Sequence, residues 1–236
     1  MAKVALTNKS GSVGKTTTAA HLLSVRMPGA MFFALESSNL TASEFGIKVR
    51  TLDTLQFKQT VREAFHLEHA IFDVGGSKNF TDFHDQMQAG GTGHTNFDFF
   101  IIPTIADEKA EKETLDTVIS LMKLGVEPEK MRIIYNRVKP LTEFQLVPGL
   151  VEKYSIKTAT IKDSPLFPSL LTMKMTIADL MADPRTALDF KKEAAAAKKG
   201  SREFDKAYEL YFAKDLLPKV AANLDEAWAA LGLGVE

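Results

Sequence analysis

No cysteine occurs in the chain, only one tryptophan, and almost no net charge: 29 lysines and arginines face 30 acids over 236 residues, a formal charge of -1. The missing thiols exclude a disulfide framework, a thiolate metal site and a cysteine-ligated iron–sulfur cluster, and suit a reducing cytosol. Cytoplasmic residence is therefore the expectation. The balanced charge excludes a uniformly basic nucleic-acid coat, so any DNA contact must come from a local patch. No apolar stretch approaches the roughly 20 residues that span a bilayer. The opening "MAKVALTN" is a short alternating run with neither the apolar core nor the small-residue cleavage site of a signal peptide.

What the chain does have is the balance of a soluble globular protein, 45% apolar and 25% charged. Short β-rich apolar runs (Val4 to Thr7, Met31 to Leu35, Ala70 to Phe72, Phe99 to Pro103, Ile133 to Tyr135, Thr158 to Ile161) alternate with longer helical segments. That alternation predicts an α/β fold, a mostly parallel sheet flanked by helices. Thr16 to Arg26, Thr54 to Phe65 and Lys109 to Leu124 read as helices. Phe80 to Phe97, with "QAGGTGHTN", reads as a mobile loop after a short helix. Past Ile161 the pattern turns helical and closes on a long helix from Arg202 to about Leu231. With no repeat and no linker, 1–236 reads as a single domain: a core of about 3–180 and a helical extension of about 181–236. Of the five histidines, His66 and His69 lie three apart without forming a convincing zinc pair, and His21 reads as a packing residue.

"LTNKSGSVGKTTTAA", residues 6 to 20, directly follows the first predicted strand. A strand, a glycine turn and a helix opening on Lys-Thr bind phosphate for physical reasons. Backbone N–H groups of Gly11 to Lys15 can converge on an anion at the positive end of the helix dipole. Gly11 and Gly14 leave room for the anion or permit positive φ. Lys15 would sit on the β- and γ-phosphates, and the Thr16 hydroxyl on Mg²⁺. A Gly-rich turn that merely caps a helix is the other reading. The pattern G-x-x-x-x-G-K-[ST] is incomplete, because Lys9 stands where its first glycine belongs.

The stretch "NKSGSVGKTTTA" resembles the deviant Walker A motif of the ParA/MinD ATPases, x-K-G-G-x-G-K-[ST]. Aligned without gaps, Lys9 takes the free position and Ser10 stands at the signature lysine. Gly11 and Ser12 take the glycine pair, and Gly14, Lys15 and Thr16 the invariant end. In that family the signature lysine reaches across a nucleotide-sandwich dimer to the partner's phosphates, so Ser10 puts trans-activated hydrolysis in doubt. Lys9 is the candidate replacement. The resemblance implies a P-loop NTPase fold and nucleotide contacts from Gly11, Ser12, Val13, Gly14, Lys15, Thr16 and Thr17. It places Glu36, after the second strand, as the carboxylate that orients the attacking water. Asp73 in "HAIFDVGGS" becomes the Walker B carboxylate that holds Mg²⁺ with Thr16, and Gly75 and Gly76 open a switch loop. Asn136 in "MRIIYNRV" looks like the adenine-contacting asparagine, and "IKDSPLF" would supply the other wall of the base pocket. The order of motifs is most similar to StbB-type plasmid-stability proteins.

The resemblance thus implies a slow Mg²⁺-dependent ATPase that binds ATP or ADP and forms an ATP-dependent homodimer. It would position or stabilise plasmid DNA, directly or through a DNA-binding adaptor protein. A binding switch with little hydrolysis and a metabolic P-loop ligase remain alternatives. Lys191, Lys192, Lys198, Lys199 and Arg202 are the candidate DNA patch, five cations against Glu193 alone; a solvated helix face is the other reading. The C-terminal "ANLDEAWAALGLGVE" carries acidic charge, which an anionic membrane would repel.

Overall fold

The computed structural model describes residues 2–35, 42–52, 57–64, 66–89 and 93–234. Seven strands are present among them: β1 (Ala2–Leu6), β2 (Met31–Leu35), β3 (Val49–Thr51), β4 (His69–Val74), β5 (Phe99–Thr104), β6 (Met131–Val138) and β7 (Lys157–Lys162). They form one parallel sheet in the order β3-β2-β4-β1-β5-β6-β7. All the strands therefore end on one side of the sheet, where open α/β folds bind their ligands.

Alternating side chains give the sheet two buried faces. Val4, Leu6, Ile71, Ile101 and Ile134 point into one core. Ala5, Phe72, Phe100, Ile102 and Ile133 point into the other. The first core is covered by the helix that follows β1 and by the C-terminal helices α7 (Leu166–Met173), α8 (Ile177–Ala182), α9 (Ala187–Ala196) and α10 (Arg202–Leu231). The second lies under α4 (Lys78–Ala89), α5 (Glu108–Lys123) and α6 (Val147–Tyr154). α10 also closes the β7 edge. Asn223 Oδ1 accepts from the Lys162 N–H at 2.8 Å, and its Nδ2 donates to the Thr160 carbonyl at 3.1 Å. An edge strand that would otherwise offer unpaired backbone is thereby paired.

Some expectations need correction in detail. The predicted loop from Phe80 to Phe97 begins as the twelve-residue helix α4, held by buried Phe80, Phe83 and Met87, and ends in a 3₁₀ turn at Gly93–Asn96. β3 is only three residues long, and α6 opens on Pro148 and Gly149, which read as a turn, so neither announces itself. The second predicted helix is α3 (Phe57–Ala64). The helix after β1 starts one residue early and is not uniform: α1 (Lys15–Thr18) leads through a π-helical turn, Ala19–Leu23, into α2 (Ser24–Arg26). The final helix spans Arg202–Leu231 as expected, and Trp228 packs half-buried against the first core.

Candidate functional site

β1 is central, and the loop leaving it is built from buried polar contacts. Asn8 is fully buried. Its Nδ2 donates to the Pro103 carbonyl at 2.9 Å and to Thr114 Oγ1 at 2.8 Å, while its Oδ1 accepts from the Ser10 N–H at 2.8 Å. Thr114 and Thr117 come from α5, so that helix fixes the root of the loop. Sequence reading passed over Asn8, because one amide before a glycine turn has no distinctive spacing.

Further along, Ser12 and Gly14 both have positive φ, 58° and 91°, and Gly14 caps α1 in the left-handed conformation. An added Cβ at Gly14 would lie 2.0 Å from Asn136 Nδ2, so the packing itself demands glycine there. At Gly11 an added Cβ would meet nothing, so the protein around it does not demand glycine. Lys15 is buried; its Nζ donates to the carbonyls of Ser10 at 2.7 Å and Asn8 at 3.2 Å. Val13 and Thr16 are buried beside it.

Asp73 sits near the end of β4, buried, and pairs in register with Leu6 of β1. The parallel pairing of β1 and β4 thus puts the predicted carboxylate beside the strand that leads into the loop. After it, the 75–77 turn is docked on the loop. The Ser77 N–H donates to the Lys9 carbonyl at 2.8 Å, and the Gly75 N–H to the Leu35 carbonyl at 3.0 Å. An added Cβ at Gly76 would come within 3.0 Å of the Gly11 nitrogen. Backbone meets backbone there, so a side chain at position 76 would have to push the two loops apart by a few tenths of an ångström.

Lys9 goes elsewhere. Its ammonium pairs with Asp116 of α5 at 3.6 Å and lies 5.7 Å from the centre of the Phe80 ring, while its N–H donates to Thr117 Oγ1. Glu36 lies outside the described residues.

Asn136 falls at a register shift in the β6–β7 pairing, between Tyr135 and Val138, and Arg137 takes φ 55°. A bulge of this kind re-aims a side chain. Here it turns Asn136 onto the loop after β1: Nδ2 donates to the Val13 carbonyl at 2.8 Å, and Oδ1 accepts from the Arg137 N–H at 2.9 Å. Beyond it opens a cleft of about 530 Å³. Phe45, Phe167, Pro165, Pro168 and Leu171 give it apolar walls, and Thr17, Asn136, Arg137, Asp163 and Ser164 a polar rim.

Behind that wall His21, at the centre of the π turn, is fully buried. Its ring meets Phe45 edge-on at 4.6 Å and Phe167 at 5.7 Å, and its Nδ1 accepts from the Ile177 N–H at 3.4 Å. Burial holds its pKa down at about 4, against a weaker upward pull from Asp179. Glu111 is another buried polar side chain that sequence reading missed. Its carboxylate accepts from the N–H groups of Gln145, Leu146 and Val147 at the start of α6, which satisfies that helix end from α5.

Five cations, Lys191, Lys192, Lys198, Lys199 and Arg202, are all exposed on α9 and the turn into α10. Among the described residues no helix is long and apolar enough to cross a membrane, and no cluster of three or more acid or histidine side chains could hold a metal ion. The Thr16 hydroxyl and the Asp73 carboxylate, both buried, are the oxygen donors the described residues bring to this end of β1 and β4. That set suits a Mg²⁺ ion completed by phosphate and water oxygens.

A central strand, a glycine loop running into a helix, and a carboxylate on the neighbouring parallel strand define a P-loop nucleoside triphosphatase fold. Solved structures place it among the MinD and ParA folds. MinD of Aquifex aeolicus superposes with a TM-score of 0.56 at 13% identity, over 90% of this chain and 95% of that one. MinD of Pyrococcus horikoshii, solved with Mg-ADP, gives 0.53 at 12% identity over 89% and 94%. A protein named for plasmid partition, from Borrelia burgdorferi B31 and bound to AMPPNP, gives 0.50 at 12% identity over 91% and 99%. No protein-family profile matches the sequence, and no curated protein matches it.

Proposed function

We propose that the protein is a ParA/MinD-like ATPase of the StbB type that binds ATP or ADP with Mg²⁺, dimerises on ATP and hydrolyses it slowly in the cytoplasm. Its cycle positions or stabilises plasmid DNA through the Lys191–Arg202 patch, through a DNA-binding adaptor protein, or through both. The observation that carries this reading is the loop from Asn8 to Thr16, buttressed by α5, with the 75–77 turn docked on its backbone and Asp73 on the adjacent strand. Similar folds named MinD and plasmid partition protein, solved with Mg-ADP and AMPPNP, support the choice of ligand.

In this reading the loop's N–H groups, Gly11 to Lys15, hold the phosphates. Lys15 exchanges its two carbonyl partners for the β- and γ-phosphate oxygens. Thr16 and Asp73 hold the Mg²⁺ ion, which neutralises charge on those phosphates, and Glu36 orients water. The Gly76 and Ser77 contacts tie the 75–77 turn to this loop, so a change at the phosphates would be passed to that turn. The second reading, a nucleotide switch with little hydrolysis, is favoured by one observation: Lys9, the candidate replacement for the family's lysine, is paired with Asp116.

The test is ATP turnover by the purified chain with Mg²⁺, with and without duplex DNA, beside Lys15→Ala and Lys9→Ala. Lys15→Ala is expected to lose nucleotide binding altogether; retained affinity would remove the loop assignment. Turnover lost in Lys9→Ala as well makes Lys9 the stand-in cation, whereas binding without turnover in the wild type selects the switch reading.

A further inference from the structure

We infer that the outer face of the α9–α10 hairpin is an interaction surface for a second copy of this chain. The two copies pair without nucleotide, through an aromatic row flanked by charged edges of opposite sign.

Exposed apolar side chains are concentrated on this part of the molecule. Of the seven large ones among the described residues, Met181, Leu188, Tyr208 and Phe212 lie on α8, α9 and α10. Leu188 is 57% exposed and Tyr208 51%, and apolar groups gathered in this way mark a contact site rather than ordinary surface. Phe204, Tyr208 and Phe212 recur every four residues, which sets them in one row along α10. The row is ordered by its own contacts. The Phe204 and Tyr208 rings lie 14° from parallel with centres 5.9 Å apart, and Tyr211 meets Tyr208 at 6.1 Å.

The charges beside the row are sorted by helix. On α9 the exposed positions Leu188, Lys191, Lys192 and Ala195 share one face, and the Lys191 ammonium lies 5.9 Å from the centre of the Tyr211 ring. Tyr211 is therefore on the α9 side of the row. At about 100° per residue, the exposed Asp205 and Glu209 fall on the opposite side, and Asp215 continues the row itself. By the same spacing Arg202 lies beyond Glu209 at the first turn, and Lys206 on the reverse of the helix. The face thus has a cationic edge, an aromatic centre and an acidic edge. A nucleic-acid strand stacked on the rings would bring its phosphates to Asp205, Glu209 and Asp215, which disfavours that occupant.

A second copy fits the face. A two-fold axis in the contact plane, parallel to α10, lays the cationic edge of each copy on the acidic edge of the other and rings on rings. The result has an apolar centre and a charged rim, where the charges set register and exclude wrong partners more than they add affinity. The same axis brings both α9–α10 turns to one end, so Lys198, Lys199 and Arg202 of the two copies form one enlarged cationic surface. None of the groups assigned to nucleotide or Mg²⁺ takes part. This pairing is therefore separate from the ATP-dependent dimer proposed above.

The experiment is sedimentation velocity of the full-length chain over a concentration series, without nucleotide or DNA. The wild type is expected to show a monomer–dimer equilibrium. Lys191→Glu with Lys192→Glu, and separately Asp205→Lys with Glu209→Lys, should each weaken self-association tenfold or more, because each sets like charges edge to edge. Mixed one to one, the two variants should dimerise within threefold of the wild-type affinity, since both edges are again opposite. Tyr208→Glu should weaken association tenfold or more. Lys191→Glu and Glu209→Lys alone serve if a double variant does not fold, which circular dichroism reports. A wild type that stays monomeric, or that dimerises only with Mg-ATP, overturns the inference and leaves the nucleotide reading standing. Folded, charge-reversed variants that fail to associate when mixed overturn it as well.

Discussion

Asn136 and Gly14 are shaped to each other: the asparagine amide occupies the space a side chain at position 14 would need, 2.0 Å from where its Cβ would stand. Gly14 also has φ 91°, a conformation that costs an L-residue roughly 1–2 kcal/mol. Two independent costs therefore fall on Gly14→Ala. Its nucleotide affinity should drop at least tenfold. Adding Asn136→Ala relieves the collision but not the backbone strain, so the double variant should recover part of the loss and never all of it. Full recovery in a nucleotide titration would mean that the left-handed conformation is unimportant.

Gly76 supports a different experiment, because it touches backbone rather than side chain. In Gly76→Ala the new methyl comes 3.0 to 3.3 Å from the Gly11 nitrogen and Cα and the Lys9 carbonyl, so backbone rather than a side chain must give way. The 75–77 turn should lift, breaking the Ser77–Lys9 hydrogen bond. Because the methyl also presses on the Gly11 nitrogen, one of the groups assigned to the phosphates, nucleotide affinity is expected to fall with it, and ATP turnover tenfold or more. Hydrogen exchange read at Ser77 should rise by a similar factor. Unchanged exchange would show that the docking does not govern that turn.

Burial of His21 makes stability depend on acidity. Its folded pKa, about 4, lies below the ordinary 6.5, so between these values the unfolded chain binds a proton that the folded chain refuses. Stability is complete above pH 6.5, falls as pH drops through the window, and levels off near pH 4. The gap corresponds to about 3 kcal/mol. His21→Asn keeps an acceptor for the Ile177 N–H and cannot titrate. It should be less stable at pH 7, yet lose clearly less than the wild type between pH 7 and pH 4.5 in chemical denaturation. Parallel slopes in the two proteins would acquit His21.

Much of this was legible before any coordinates. Gly14, Lys15 and Thr16 announce a phosphate loop because glycine and lysine at that spacing have a narrow physical use. The resemblance put Asp73 at the end of an apolar run, and that run is β4, which pairs with β1. Asn8 and Glu111 were invisible for the opposite reason. Each acts through contacts about 35 to 109 residues away, and nothing local marks them. Where the Asn136 amide points turned on the bulge at β6, which depends on how β7 pairs and has no signature in "YNRV". The π turn around His21 is equally silent, since the run from Lys15 onward fits an ordinary helix.

The exposed cations at the α9–α10 turn bear on DNA. Lys191 lies 5.9 Å from the Tyr211 ring and so is partly engaged, whereas Lys198 and Lys199 stand at the turn itself, where two side chains can reach a phosphate backbone without moving a helix. Each phosphate neutralised releases about 0.9 counterion, so removing two contacts should flatten the log–log salt slope of duplex binding by roughly 2. Lys198→Glu with Lys199→Glu is expected to weaken duplex binding at least tenfold at low salt. ATP affinity should be unchanged, because Lys198 and Lys199 stand exposed on the turn between α9 and α10, and α10 packs chiefly on α9, β7, α7 and α8. Fluorescence anisotropy across a salt series checks both numbers. An unchanged slope would make the run a solvated helix face and leave the adaptor protein as the sole route to DNA.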